Sequence, residues 1–148
     1  MSVVFKICIS NKFADRMINL EFVEAIVGKG LLNDRYYKQN NDKISQITLI
    51  ESENIKYLNN ISNTNISFIN FRRNIITKGI RLNNLIDKKI LIGKVELLIH
   101  DLCQPCLELQ TKLNQKDLVK NLFNRGGIRA EIIKSGTIKV KDKISIIR

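Results

Sequence analysis

The sequence predicts one mainly β domain, a closed or nearly closed β-barrel with a few short helices. Two observations predict it. Short β-branched runs follow one another at close spacing, and only a few stretches have helical periodicity. The chain has 148 residues with no repeat, low-complexity tract or linker. Residues 1–148 are therefore expected to form a single domain.

The strand predictions rest on short apolar runs bounded by turn-forming residues. Residues 3–9 alternate loosely between apolar and polar, and Gly28 and Gly30 end the second run. The run before Glu51 alternates more regularly, as a half-buried strand does. In chain order, the predicted strands cover residues 3–9, 21–27, 44–50, 66–70, 74–77, 89–92, 94–100, 128–133, 137–140 and 143–147.

Three short helices are predicted between these strands. Glu51 and Glu53 are acidic residues suited to the first turn of a helix that extends to about Asn59. The other two helices cover residues 106–113 and 115–123, where apolar residues recur at helical spacing. Those residues are Cys106, Leu109 and Leu113 in one helix, and Leu118, Leu122 and Phe123 in the other.

Composition places the chain among folded, unexported proteins. Its apolar fraction is 44%, typical of globular domains. It has no apolar run near the roughly 18 residues of a membrane span, and its start lacks a signal-peptide cleavage site. Three cysteines are too few for a disulfide framework and fit a reducing compartment. We therefore expect a cytoplasmic protein without membrane contact.

The charge is strongly basic, with 25 Lys and Arg against 14 Asp and Glu and a net charge of +11. Such a field attracts phosphate-bearing partners. Nucleic-acid binding is nevertheless not favoured, because the chain has no run of five basic residues and no nucleic-acid motif. A basic nucleic-acid-binding β-barrel remains an alternative, which predicts binding that weakens steeply with salt and survives Cys106→Ser.

The most specific local feature is the segment from His100 to Cys106, which contains Cys103 and the chain's only proline and histidine. It lies between a predicted strand and a predicted helix, where the helix N-terminus lowers the pKa of a cysteine. Cys106 is therefore a candidate nucleophile or soft-metal ligand. The alternatives are a zinc site using His100 and both cysteines, a thioredoxin-like CxxC pair, and two packing cysteines in a loop.

Two further segments are candidates for anion binding. Arg72 and Arg73 supply guanidinium groups that match phosphate or carboxylate, and Asn74 adds an amide. A pair of surface arginines at a strand end is the alternative. Asp34 and Arg35, after a glycine-containing turn, either bind a ligand or pair with neighbouring residues at the surface.

These features occur in an order that resembles the MOSC domain, the family named after the C-terminal domain of molybdenum cofactor sulfurases. The resemblance covers nearly the whole chain, and its most specific parts are the RRN stretch and the Pro-Cys dipeptide. The matching segments are DR at 34–35, QITLI at 46–50, RRNIITKGIRL at 72–82, IG at 92–93, CQPC at 103–106, GGIRA at 126–130 and GTI at 136–138, with Asp142.

The resemblance implies a β-barrel that binds a molybdopterin-type molybdenum cofactor. It implies that Cys106 accepts sulfur or ligates molybdenum, either as a sulfur carrier or within a molybdenum-dependent reductase of N-hydroxylated compounds. Cys103 is expected at the same site, or as a resolving partner that forms a disulfide with Cys106. The anion-binding wall for the pterin phosphate would consist of Arg72, Arg73 and Asn74, with Asp34 and Arg35 at its rim.

The chain departs from the family pattern at two positions. Tyr36 stands where the family's Gly-Asp-x-His segment has histidine, and Ser45 precedes Gln46 where arginine is common. Some relatives are fused to a pyridoxal-phosphate desulfurase, for which this chain has no room, so no pyridoxal-phosphate site is expected. A cysteine desulfurase or an electron-donor protein is then expected as partner.

Overall fold

The computed structural model describes residues 1–12, 16–105 and 107–148. Strands predominate among them, and the helices are few and short, which confirms the mainly β class. The strands are β1 (Val3–Ile9), β2 (Ile18–Leu20), β3 (Phe22–Ile26), β4 (Gly30–Leu31), β5 (Ile47–Glu51), β6 (Ile75–Lys78), β7 (Lys89–Ile92), β8 (Val95–Leu102), β9 (Ile128–Lys134), β10 (Gly136–Lys139) and β11 (Ile144–Ile146). The helices are α1 (Ser52–Ser62), α2 (Leu107–Lys112) and α3 (Leu118–Asn121), with 3₁₀ turns at Phe68–Phe71 and Leu82–Leu85.

The strands form two sheets. The larger sheet has the order β11-β7-β8-β9-β5-β6-β1-β2, and the smaller has the order β10-β3-β4. Neighbouring strands are antiparallel except β5 and β6, which are parallel because α1 connects them as a crossover. β5 therefore lies between β6 and β9 and brings together the segments that precede β6 and β9.

Barrel closure is not confirmed, because no continuous ladder joins the sheet edges among the described residues. β1 does approach the turn before β11. Val3 forms an isolated bridge with Lys143, and the backbone N–H of Val4 donates to the Asp142 carbonyl at 2.9 Å. Among the described residues these bonds do not make up a ladder, so the structure shows two sheets and the predicted barrel closure stays unconfirmed.

Two apolar clusters hold the elements together. The first lies between the sheets and contains inward-facing side chains from β1, β3, β5 and β7 to β9, such as Ile7, Leu49 and Leu97. The second lies beneath α1 and includes Ile55, Leu58 and residues of α2 and α3. Each fully buried side chain of this size contributes about 1.5–3 kcal/mol by leaving water.

α1 begins directly after β5 and ends at a left-handed cap. It covers Ser52–Ser62, three residues beyond the predicted end. The cap is Asn63, with φ 51°, whose backbone N–H donates to the carbonyls of the last turn. Asn tolerates this conformation better than most residues with a Cβ. The helix buries Ile55 and Leu58 against the sheet, as its amphipathic pattern requires.

The prediction of a strand at residues 66–70 is wrong. The structure has a 3₁₀ turn at Phe68–Phe71 instead. The side chain of Asn59 bonds both the N–H of Ile66, at 2.9 Å, and its carbonyl, at 3.1 Å, so these backbone groups are unavailable to a strand partner. The β-branched residues here pack beneath α1 rather than in a sheet.

Two very short strands, β2 and β4, lack a sequence signal of their own. β2 has three residues and β4 has two, below the length at which alternation can be recognised.

Among the described residues, no helix is both long and apolar enough to cross a membrane.

Candidate functional site

Cys106, the predicted catalytic residue and metal ligand, lies outside the described residues. β8 ends at Leu102, and Cys103 follows with its backbone N–H donating to the carbonyl of Gly127 at 2.8 Å. Cys103 is 3% exposed, so its thiol is buried in the described structure. Residues 103–105 are therefore held against the start of β9.

Arg73 joins the arginine motif to this segment. Its Nε–H donates to the Gly126 carbonyl at 2.8 Å, and its Nη2 contacts the carbonyls of Cys103 at 3.3 Å and Gln104 at 3.5 Å. These groups are 30 to 53 residues apart in the chain. Arg73 and these carbonyl groups lie on one side of the molecule because β5 pairs with both β6 and β9. The first pairing is parallel and the second is antiparallel.

Gly126 allows this approach. A Cβ at this position would lie 2.3 Å from the Cys103 carbonyl oxygen and 2.9 Å from Cδ of Pro105. Any larger residue would push the backbone of residues 103–105 away. Gln104 also ties this part of the chain to Asn124. Its side-chain amide donates to Asn124 Oδ1 at 2.7 Å and accepts from the Asn124 backbone N–H at 2.9 Å.

Asn74 is buried, with 3% of its surface exposed, and its side chain bonds the protein rather than solvent. Its Oδ1 accepts from the backbone N–H of Thr48 at 3.1 Å, and its Nδ2 donates to the carbonyl of Cys8 at 3.1 Å. The Thr48 hydroxyl also bonds the backbone N–H of Asn74. Asn74 thus ties the start of β6 to β1 and β5, and the turn that carries Arg72 and Arg73 is fixed by it.

Arg35 supports the same turn from a second direction. Its guanidinium is only 6% exposed and donates from Nη2 to the carbonyl of Arg72 at 3.3 Å. Nη1 contacts Met17 Sδ at 3.1 Å and Asp34 Oδ1 at 3.3 Å. Arg72 itself has φ 61°, the left-handed conformation that ends the 3₁₀ turn. The bond from Arg35 helps to hold this unfavourable backbone conformation.

Asp34 is fully buried at its side chain and pairs with Arg35. Its Oδ1 also accepts from the backbone N–H of Ser10 at 3.1 Å. The structure therefore brings Asp34, Arg35 and Arg72 into one connected group, with Arg73 next in the chain. The predicted roles of these residues in cofactor binding stay predictions.

The remaining sulfur and imidazole groups have separate surroundings. Burial raises the pKa of the Cys8 thiol to about 11, partly offset by Lys6, so Cys8 is an inert core residue. His100 Nε2 bonds Glu131 Oε1 at 2.8 Å. Within residues 1–12, 16–105 and 107–148, no three His, Cys, Asp or Glu side chains form a metal-binding cluster. β8 is antiparallel to both neighbours, unlike the strand of a thioredoxin βαβ unit.

The site thus combines a guanidinium group with the backbone that leads to a cysteine. Guanidinium groups bind phosphate, and a thiolate is a soft ligand for molybdenum. This donor set fits an anionic pterin cofactor carrying molybdenum. Sequence reasoning missed the bracing pair of Gln104 and Asn124, for which the sequence carries no signal. It did include Gly126 among the family segments, but without its steric role.

Comparison with known proteins gives the family and the fold. The family model of the MOSC domain matches residues 37–145, which is most of the chain. The structure resembles the YuaD protein from Bacillus subtilis, with a TM-score of 0.82 at 15% identity, covering 97% of this chain and 94% of that one. It also resembles YiiM from Geobacillus stearothermophilus, with a TM-score of 0.79 at 16% identity, covering 100% of this chain and 76% of that one.

YiiM from Escherichia coli is similar too, with a TM-score of 0.72 at 15% identity over 99% of this chain and 68% of that one. No curated protein matches the chain. At these identities the solved structures establish a shared fold. The family model, the order of the sequence segments and the fold agree, and the chain belongs to the MOSC domain family.

Proposed function

We propose that this protein binds a molybdenum cofactor of the molybdopterin type, with Cys106 as its molybdenum ligand or sulfur acceptor. The observation that carries the proposal is the contact of Arg73 with the carbonyls of Cys103 and Gln104. It places a fixed positive charge beside the backbone that leads to Cys106. A phosphate-bearing ligand whose metal is held by that cysteine would meet both groups at once.

The proposal gives the predicted residues two kinds of role. Arg72 and Arg73 supply the positive charge that attracts and orients the anionic pterin. Arg35 and Asn74 act as positioning residues, since their polar atoms bond the backbone around the arginine turn. Asp34 forms an ion pair with Arg35 and so holds its guanidinium in place. When bound, the cofactor would supply a redox-active metal and a sulfur-rich coordination sphere.

Two activities follow from such a site, and each needs a partner. As a reductase, the protein would act on N-hydroxylated compounds and take electrons from an electron-donor protein. As a sulfur carrier, Cys106 would hold a persulfide loaded by a cysteine desulfurase. The family membership supports both equally, so the first experiment is designed to separate them.

The experiment measures molybdenum and pterin in protein purified anaerobically from a host that makes the cofactor. Wild type is compared with Cys106→Ser, Arg73→Ala and Arg81→Ala. Arg81 is the matched control, because its side chain is 84% exposed and its ion pair is with Glu51 rather than with the backbone of residues 103–105. We expect near-stoichiometric molybdenum in wild type and in Arg81→Ala, and a loss of at least about tenfold in the other two variants.

The other outcomes decide the alternatives. Molybdenum lost in Cys106→Ser, together with reduction of an N-hydroxylated compound by wild type, supports the reductase. A transferable sulfane sulfur on Cys106 without molybdenum supports the carrier and contradicts cofactor binding. Equal molybdenum and equal persulfide in wild type and Cys106→Ser would contradict both assignments.

The basic charge leaves nucleic acid as a competing ligand. Titration with a DNA duplex at increasing salt tests it. If the +11 charge acts only as a diffuse field, binding is weak and disappears by physiological salt. Tight binding that persists in Cys106→Ser would favour the nucleic-acid alternative.

A further inference from the structure

A cavity of about 670 Å³ lies on the side of the molecule formed by β2, β3 and the turn after β4. This volume is within the usual range for sites that bind small molecules. Its walls come from β2, the edge strand of the large sheet, and from β3 and the turn after β4 in the small sheet. The apolar lining residues are Ile9, Ile18, Leu20, Phe22, Val23 and Leu32.

Three of these apolar side chains are unusually exposed. Phe22 is 60% exposed, Ile18 is 48% exposed and Leu32 is 40% exposed. They come from three separate segments yet meet at one cavity. A cluster of exposed large apolar side chains around a concavity is typical of a binding site, whereas isolated ones need no explanation.

The same cavity is lined by Asp34, whose carboxylate is incompletely bonded. Its Oδ1 accepts from Ser10 and Arg35, but the buried Oδ2 has no hydrogen-bond partner among the described residues. The side chain is 0% exposed. A buried carboxylate oxygen without a donor is costly, and such groups usually have a partner that the protein alone does not supply.

A second carboxylate, Glu24, also lines the cavity, where its Oε1 accepts from the Thr137 hydroxyl. No lysine or arginine is among the described residues that line it. In a protein with a net charge of +11, the described lining has two carboxylates and no cation, while Arg35 pairs with Asp34 from behind the wall. Its lining therefore suits a ligand that has an apolar body and a cationic group that donates hydrogen bonds.

We propose that this cavity binds a small molecule with an apolar or aromatic body and a protonated amine, whose N–H donates to Oδ2 of Asp34. Phe22, Ile18 and Leu32 cover the apolar body. The site requires neither Cys106 nor Arg73, although it shares Asp34 with the residues that hold the arginine turn. Phe22→Ser therefore tests this site apart from cofactor binding, and Cys106→Ser tests cofactor binding apart from this site.

Benzylamine is the probe, with benzoate as its charge-reversed analogue of similar size. Binding is followed by NMR of the isotope-labelled full chain at neutral pH, with the methyl groups of Ile18 and Leu32 as reporters. We expect saturable shifts of these methyls with benzylamine and none with benzoate. Equal shifts with both probes, or no saturable shift with benzylamine, would overturn the proposal.

Asp34→Asn is the central variant. The amide can keep Oδ1 as acceptor for Ser10 and Arg35, but it replaces the unpartnered oxygen by an NH₂ donor. We expect benzylamine to bind at least about tenfold more weakly, because the charge-assisted bond is lost. Asp117→Asn is the matched control, since Asp117 is exposed and outside the cavity lining. It should bind benzylamine as wild type does.

Phe22→Ser provides a second test if Asp34→Asn unfolds. Phe22 is mostly exposed, so this variant is expected to fold. Loss of the apolar wall should weaken benzylamine binding by at least about fivefold. Unchanged affinity in Phe22→Ser, or in a folded Asp34→Asn, contradicts the proposed site.

Discussion

Asn74 illustrates how one buried amide organises three strands. Its side chain bonds the backbone of Thr48 and Cys8, and Asn74→Ala would leave both of these groups without their partner. We expect the free energy of unfolding to fall by about 2–4 kcal/mol. Urea denaturation measures this change.

The control for this prediction is Asn70→Ala. Asn70 is exposed in the preceding 3₁₀ turn, so its replacement should change stability by no more than about 0.5 kcal/mol. Equal effects of the two substitutions would show that the Asn74 amide does not hold the strands together.

The cysteines differ in expected reactivity. Cys8 is 0% exposed, and burial raises its pKa to about 11, so it has almost no thiolate at pH 8. We expect iodoacetamide to modify Cys106 first in the native protein and Cys8 only after denaturation. Peptide mass spectrometry over time measures the order. Labelling of native Cys8 at the rate found in urea would contradict its placement in the core.

At the scale of elements, the approach of residues 103–105 to the start of β9 depends on Gly126. In Gly126→Ala the new Cβ would overlap the Cys103 carbonyl, so the segment must move. We expect the backbone N–H of Cys103 to lose protection from hydrogen exchange, because its bond to the Gly127 carbonyl is broken or lengthened. Stability should fall by about 1–3 kcal/mol.

Gly28→Ala separates this steric effect from ordinary backbone strain. Gly28 has φ 74° but nothing within 4 Å of its added Cβ, so the variant should lose only about 1 kcal/mol. The Cys103 N–H should stay protected in it. Equal exchange of that N–H in the two alanine variants would rule out the proposed steric role of Gly126.

At the scale of the whole molecule, Glu51 links stability to pH. It is 5% exposed, and burial raises its pKa above the ordinary 4.5, although the Leu82 N–H and Arg81 act in the opposite direction. Because the folded-state pKa is higher than the unfolded-state pKa, folding favours the protonated form. The free energy of unfolding therefore falls as pH rises from the unfolded-state pKa of Glu51 to its folded-state pKa. The full loss applies above the folded-state pKa.

Glu51→Gln tests this linkage, since an amide cannot ionise and can still accept from Leu82. We expect the variant to gain stability relative to wild type as pH rises from 4 to 8, by an amount that levels off once wild-type Glu51 is ionised. Thermal unfolding at each pH measures the difference. A difference between the two proteins that is independent of pH would show that Glu51 has an ordinary pKa.

Local patterns predicted much of the secondary structure because they depend on near neighbours in the chain. β7 occupies residues 89–92 as predicted, and β9 starts at Ile128 as predicted, since both alternate between buried and exposed positions. The strand prediction at residues 66–70 was wrong because the side chain of Asn59, seven residues before Ile66, bonds the backbone N–H and carbonyl of Ile66. Such a contact leaves no periodic signal.

The sequence by itself determined the mainly β class and the family, because these depend on alternation and on short motifs. Only the tertiary structure decided that Arg73 contacts the carbonyl of Cys103, 30 residues away, and that Asn74 and Arg35 bond backbone. Strand order determines these contacts, and strand order depends on packing between segments distant in the chain. The cavity beside Asp34 has the same origin, since the strands around it belong to different sheets.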